Sequence, residues 1–341
     1  MRVLVTGGAG FIGSHYVRTM LTGGYPGFDD AQVTVLDKLS YAGNLDNLDP
    51  VAQSSRLRFI RGDICDTKLL ADVVPGHDYV VNFAAESHVD RSIDSAKAFV
   101  TANVTGVLAI AQACLDAGIR RLVQVSTDEV YGSVAAGSWT EDAPMAPNSP
   151  YAASKAGGDL LALAFARTHG LDVRITRGAN TYGPHQYPEK VIPLFVTNLL
   201  DGVSVPLYGD GKNVRSWLHV DDHCRGIQLA LCKGEPGEVY HVAGDVELSN
   251  IELTRLVLDR CGAGWQMVRH VADRKGHDFR YSLDDSKLRG LGYEPGTSFG
   301  PGLTDTVRWY TEHRDWWQPL KDATTARPRA SAGAFAPQRQ R

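Results

Sequence analysis

The sequence has 341 residues, 43% of them hydrophobic and 22% charged, with a formal net charge of -4. That length accommodates one large or two modest domains, and the near-balanced charge excludes a global pull toward nucleic acid or an anionic membrane surface. Five scattered cysteines, Cys65, Cys114, Cys224, Cys232 and Cys261, form no C-x-x-C pair and no Cys/His ligand spacing, so they are expected to be buried reduced thiols.

In chain order, RVLVT reads as a strand that starts directly after Met1, with a helix from about Phe11. This start leaves no room for a secretory signal, and no apolar run approaching the ~18 residues of a membrane span is expected, which points to the cytoplasm. Between strand and helix, VTGGAGFIGS sets Gly7, Gly10 and Gly13 as G-x-x-G-x-x-G around Phe11 and Ile12. Free N–H groups and the helix dipole at that junction suit a pyrophosphate, and glycines let it come close. The next strand, VTVLD, ends at Asp37, placed to hydrogen-bond the adenosine ribose; an acid there repels a 2′-phosphate, favouring NAD over NADP. Asp63, ending RLRFIRGD, falls similarly near the adenine edge.

DYVVNFAA reads as a further strand, Asn103 to Ala117 as a long helix, and RLVQVS as a buried strand. Two acids, Asp128 and Glu129, follow at once. Neighbouring side chains of an extended strand point to opposite faces, so only a tight turn aims both at one pocket; taken alone, such a pair is an ordinary solvated turn. Tyr151 to His169 reads as a helix with Tyr151 and Lys155 on one face. A free tyrosine has a pKa of ~10, and an adjacent ammonium with a positive nicotinamide ring is expected to lower it by ~3 units, worth ~4 kcal/mol, making Tyr151 a base. Alone, Y-x-x-x-K occurs on any exposed helix.

The strand DVRITR completes an alternation that predicts a Rossmann-like α/β fold: a doubly wound parallel sheet covered on both faces, with a smaller interleaved unit. Residues 1–180 are expected to bind the dinucleotide. Residues 181–216 and 245–322, rich in Gly, Pro, Tyr and charge, are expected to form a smaller domain made largely of binding loops. The helical VDDHCRGIQLALC and the strand EVYHVAG should return residues 217–244 to the first unit. Residues 323–341, with four Arg and no acid, are expected to form a disordered tail.

From about Met1 to Lys321 the chain resembles the extended short-chain dehydrogenase/reductase family. Within it, NFAAESHVDRS, STDEVYG, PEKVIPLF, LYGDGKNVRSW and DRKGHD look like the dTDP-glucose 4,6-dehydratases. The resemblance implies bound NAD, dTDP-glucose as substrate, a dTDP-4-keto-6-deoxyglucose product and no metal. The cofactor set then also takes Lys38, Leu39, Ser40, Ile64, Phe83, Ala84, Ala85, Ser87, Ser126 and Thr181. Ser87, Asn180, Lys190 and Val191 would contact the sugar nucleotide, Arg215 and Arg274 its diphosphate, Pro206 and Tyr208 the thymine, and Asn250 and His277 the nucleotide end.

In the implied chemistry Tyr151 takes the 4-hydroxyl proton as C4 is oxidised, and Thr127 binds the 4-oxygen. The ketone acidifies C5, Glu129 removes that proton, and Asp128 protonates the departing 6-hydroxyl, which requires burial and a like charge to raise its pKa. A UDP-glucose 4-epimerase-like enzyme would share the glycine loop, Tyr and Lys but needs no acid pair. A non-enzymatic NAD-binding regulator would need no activated phenol. Thr181, Gly178 and Ala179 depart from the family pattern before Tyr-Gly-Pro, and Ala102 replaces a frequent Thr. The long run Thr22 to Gln32 resembles an insertion in dehydratases of antibiotic-sugar pathways. Helices Phe99 to Ala117 and Tyr151 to His169 have broad apolar faces of the kind that form a homodimer contact in this family.

Overall fold

A computed structural model describes residues 1–325. Its strands, in chain order, are β1 (Arg2–Thr6), β2 (Gln32–Asp37), β3 (Leu57–Arg61), β4 (Tyr79–Asn82), β5 (Arg121–Thr127), β6 (Val173–Gly178), β7 (Asn180–Tyr182), β8 (Val205–Tyr208), β9 (Val214–His219), β10 (Val239–Val242), β11 (Val246–Ser249) and β12 (Val268–Val271). Seven form one parallel sheet in the order β10-β6-β5-β4-β1-β2-β3. The order reverses between β1 and β4, where the carboxyl ends of the strands leave a crevice for ligands.

The period of two along each strand divides the sheet's side chains between two cores. Leu4, Val80 and Leu122 pack with Ile110 and Leu163 from helices Gly106–Asp116 and Pro150–His169. Val3, Val5, Val81 and Val123 pack on the other face with Tyr16, Val17 and Ile227 from helices Phe11–Leu21 and Val220–Lys233. A third cluster, built around Phe195, Trp217, Leu303, Tyr310 and Trp317, is the core of the second unit. There β11-β9-β7 form a small sheet and β12-β8 a parallel pair.

The return to the large sheet begins after β9: residues 217–219 belong to the small sheet, whereas helix Val220–Lys233 and β10 belong with the large one. The expected tail starts too early, because Ala323 to Thr325 continue helix Arg314–Thr325; the rest of that expectation lies outside the described residues. The span Lys97–Asp116, contrary to expectation, is long and apolar enough by composition to cross a membrane. Its apolarity has a physical reason in the fold: one face carries Val107, Ile110 and Cys114 into the core. The helix also starts earlier than its sequence pattern suggests and contains a π-helical turn at Thr101–Thr105.

That turn turns Asn103 inward. Its Oδ1 accepts from the Glu86 N–H at 2.9 Å, and its Nδ2 donates to the Glu86 carbonyl at 3.0 Å and to Ser154 Oγ at 2.9 Å. Such single-turn π segments recur at functional sites. Here it fastens the segment after β4 to helix Pro150–His169.

Candidate active site

A cleft of about 690 Å³ opens along the carboxyl ends of β1, β2, β4, β5 and β6. At one end Gly7 has φ of 68° and sits against the segment that follows β4: a Cβ there would lie 2.6 Å from the Ala84 nitrogen. A Cβ on Gly13 would strike the Gly7 carbonyl, so the helix start can approach a ligand only with glycine at both places. Gly10 is the N-cap of helix Phe11–Leu21 with no side-chain cap, so the first N–H groups point outward unclaimed by a side chain. Asp37 accepts from Ala9 N–H at 2.9 Å and Leu39 N–H at 2.8 Å, holding the glycine turn while its carboxylate borders the cleft. Lys38 pairs with Asp63 at 2.6 Å on the adjacent strand end.

The C-terminal helix braces this region from outside. Trp316 Nε1 donates to Asn47 Oδ1 at 3.1 Å, and Asn47 Nδ2 donates to the Ala9 carbonyl at 2.9 Å.

Further along the cleft, β5 ends at Thr127 and the chain tightens into a 3-10 turn, Asp128–Tyr131. Thr127 Oγ1 caps it, accepting from the Glu129 N–H at 3.3 Å and donating to Asp128 Oδ1 at 3.2 Å. Both carboxylates border the same cleft. Asp128 Oδ2 is buried without a hydrogen-bond partner among the described residues, and burial followed by the charge of Glu129 raises the Asp128 pKa to about 7. Burial also raises Glu129, opposed by Arg274, Arg215 and Lys190. The two acids are therefore unequal: of the cations, Arg215 alone opposes the rise at Asp128, while Arg274, Arg215 and Lys190 together oppose it at Glu129 and favour its ionisation.

Ser149 caps helix Pro150–His169 through the Ala152 N–H, and Pro150 takes its first position, so Tyr151 enters the cleft in the first turn. Lys155 Nζ donates to the Val125 carbonyl at 2.7 Å, and burial lowers its pKa to about 8 against the opposing charge of Asp159. The expected lowering of Tyr151 is corrected: burial, then Glu129, pushes the phenol well above its ordinary value, with Thr127 hydrogen bonding in opposition. The helical spacing places the ammonium on the correct face but anchors it to the backbone of β5.

Of the residues named from the sequence, Gly7, Gly10, Phe11, Ile12, Gly13, Asp37, Lys38, Ser40, Asp63, Ile64, Phe83, Ala84, Ala85, Ser87, Ser126, Thr127, Asp128, Glu129, Tyr151, Lys155, Asn180, Thr181 and Lys190 border the cleft. Leu39, Val191, Pro206, Tyr208, Arg215, Asn250, Arg274 and His277 do not. Leu39 is turned aside by a φ of 54° while its N–H serves Asp37, and Val191 opens helix Val191–Leu200. Arg215, 5% exposed, donates to the carbonyls of Val214 at 2.7 Å and Asp278 at 2.9 Å. Arg274 lies 3.9 Å from Asp90, whose other oxygen accepts from the Tyr208 hydroxyl at 3.4 Å, and His277 pairs with Asp273 at 2.6 Å. These groups form a second cluster beside the acid end of the cleft; Pro206 lies on β8 and Asn250 starts helix Asn250–Arg260.

Sequence reading missed His223. Its Nδ1 pairs with Thr181 Oγ1 at 2.7 Å, and its Nε2 is buried, without a partner among the described residues, beside Gly178, where a Cβ would clash with it. Gly178 and Thr181, both departures from the family pattern, thus meet one imidazole. Arg91 was missed too: it lies 3.8 Å over the Tyr41 ring and binds Glu189 at 2.9 Å. Only spatial proximity reveals either group.

The cleft fits a dinucleotide on its own features: the glycine cradle, the helix N-terminus, Asp37, and Ser126 Oγ and Asn180 Oδ1, which have no partner among the described residues. A family model described as GDP-mannose 4,6 dehydratase matches residues 4–306. A dTDP-glucose 4,6-dehydratase of Streptomyces niveus is 60% identical over 96% of this chain and 98% of its own length. The crystal structure of DesIV, a dTDP-glucose 4,6-dehydratase from Streptomyces venezuelae with NAD bound, covers 94% of this chain and 100% of its own at 63% identity and a TM-score of 0.93. A UDP-glucose 4-epimerase from Thermotoga maritima matches at 31% identity and a TM-score of 0.84, covering 92% of this chain and 99% of its own. The fold is thus shared with epimerases, while the sequence lies far nearer the dehydratases, and the chain belongs to the sugar-nucleotide 4,6-dehydratases of the extended short-chain dehydrogenase/reductase family.

Proposed function

We propose that this chain converts dTDP-glucose to dTDP-4-keto-6-deoxyglucose and water. The observation that carries this reading is the acid pair: Asp128 and Glu129 share one cleft with Tyr151, and burial with the neighbouring charge raises Asp128 to about 7. An epimerase has no use for that arrangement, and the dehydratase relatives at 60% and 63% identity support the same choice.

NAD, when bound, accepts the C4 hydride, returns it to C6 and lends the positive ring that favours a phenolate. The chain supplies the proton transfers. Tyr151 takes the 4-hydroxyl proton, with Thr127 hydrogen-bonding the 4-oxygen. Glu129, favoured as an anion by Arg274, Arg215 and Lys190, removes the C5 proton. Asp128 gives its proton to the departing 6-hydroxyl. One water leaves; as the hydride returns to C6, Glu129 gives its proton back to C5, and the proton Tyr151 took from the 4-hydroxyl balances the one Asp128 gave up, so the net oxidation state of sugar and cofactor is unchanged.

Residues 1–180 with the segment 220–244 would hold the cofactor, and residues 181–219 and 245–322 the nucleotide. Arg215, Arg274, Tyr208 and His277 suit the diphosphate and base because they cluster beside the acid end. Val100, Leu108 and Leu160 are 49%, 42% and 54% exposed on the two long helices, which supports a homodimer across them. A cytoplasmic deoxysugar pathway is the setting that fits.

Purified protein given dTDP-glucose labelled with deuterium at C4, without added reductant, should form a 4-keto-6-deoxy product carrying the label at C6. Formation of dTDP-galactose would replace this reading with an epimerase, and absence of turnover with any nucleotide sugar would favour a regulator.

A further inference from the structure

Directly behind the cleft lies a buried polar network that none of the proposed proton transfers uses. Arg177 on β6 is 2% exposed, and its Nε donates to Asp159 Oδ2 at 2.9 Å; Asp159 is fully buried. A second guanidinium nitrogen donates to the Tyr131 hydroxyl, and the guanidinium carbon lies 4.8 Å from the Tyr131 ring centre. Tyr131 Oη lies 2.7 Å from His241 Nε2, and His241 Nδ1 lies 2.9 Å from the Asp284 carbonyl.

The directions in this chain follow from chemistry. A carbonyl oxygen only accepts, so His241 Nδ1 carries the proton and Nε2 is the acceptor. Tyr131 therefore donates to His241, and its oxygen is left to accept from Arg177. Burial keeps His241 neutral, with a pKa lowered to about 4, and raises Tyr131 to about 12, so neither link is broken near neutral pH.

What the network joins gives it meaning. Tyr131 closes the same 3-10 turn that presents Asp128 and Glu129. Asp159 lies on the helix of Tyr151 and Lys155, at successive steps of four residues, so all three share a face. Asp159 also opposes the burial penalty on Lys155. Arg177 itself pairs with Ser126 across β5 and β6, two residues before the turn. One guanidinium thus holds the acid pair with one arm and the Tyr–Lys helix with the other.

We propose that Arg177 is a positioning residue that fixes the elimination pair, Asp128 and Glu129, relative to the oxidation pair, Tyr151 and Lys155. This rests on the dehydratase reading. Its planar fork spans two partners in fixed directions, which a lysine cannot reproduce. Angular errors in such a site cost rate without removing any reacting group.

The test cuts each arm separately in the full-length protein. Tyr131→Phe keeps the ring and releases the turn; Asp159→Asn keeps the shape and releases the helix. Each variant is first checked by thermal unfolding, then mixed with dTDP-glucose while reduced nicotinamide absorbance and product are followed separately. Tyr131→Phe should slow elimination about tenfold or more while oxidation stays near wild type, so reduced nicotinamide accumulates. Asp159→Asn should slow oxidation by a similar factor, with no accumulation. Hydrogen exchange of the Glu129 to Gly132 amides should rise in Tyr131→Phe and not in Asp159→Asn. Equal proportional losses of both steps in both variants, or turnover within twofold of wild type, would overturn the proposal. Wild-type turnover in the same assay tests the underlying dehydratase reading, so the two failures are told apart.

Discussion

Lys155 Nζ donates to the backbone carbonyl of Val125 at 2.7 Å, so the ammonium of the Tyr–Lys pair is tied to the strand that delivers the acid pair. The lysine thereby orients the helix start against β5 as well as supplying charge. Lys155→Met should slow formation of reduced nicotinamide by about 10²-fold or more, the scale of proton-transfer catalysis, measured in a single turnover. Retention of that step within tenfold would remove Lys155 from the oxidation.

The Asp128 carboxyl predicts opposite effects on rate and stability. Its pKa rises from 3.8 to about 7 on folding, so between those values the folded state binds more protons than the unfolded one, and stability falls as pH rises through that window. Asp128→Asn should therefore be more stable than wild type at about pH 8, with the difference vanishing at low pH, as measured by denaturant titration. Wild-type elimination should decline above about pH 7 as the proton donor is lost, and Asp128→Asn should eliminate water at least about 10²-fold more slowly.

Gly178 should be irreplaceable for a local reason. A Cβ there would collide with the His223 ring, and Gly178 pairs with Thr127 across β5 and β6. Gly178→Ala should destabilise by about 1–3 kcal/mol, the usual overpacking cost, and weaken turnover through Thr127. The double variant Gly178→Ala/His223→Ala should recover part of the loss; strict additivity in a thermal-melt cycle would show that the two sites do not touch.

The exposed leucines on the long helices offer a simple assembly test. Leu108→Glu with Leu160→Glu should convert a dimer to a monomer in sedimentation velocity at micromolar concentration. A wild-type protein that sediments as a monomer at that concentration would refute the homodimer reading.

The sheet was legible because alternating apolar runs and glycine turns are local signals, and each expected strand of the large sheet forms within a few residues. The cleft residues from Gly7 to Lys155 were legible for the same reason: they sit at strand ends and helix starts. Tyr151 misled because helical spacing gives proximity to Lys155 but not the depth of burial, which dominates its acidity. The network of Asp159, Arg177, Tyr131 and His241 was invisible, since its links join residues as far as 110 positions apart on four different elements. His223 was hidden likewise, reaching Thr181 across 42 positions.

Asn47 is clasped between the glycine turn and Trp316, a residue 269 positions later. On the ribosome, the first strand and glycine turn emerge long before the indole that secures them. The dinucleotide cradle is thus completed only when helix Arg314–Thr325 has been made, so a chain stalled or cut before Trp316 would carry the full glycine signature yet lack its outer brace.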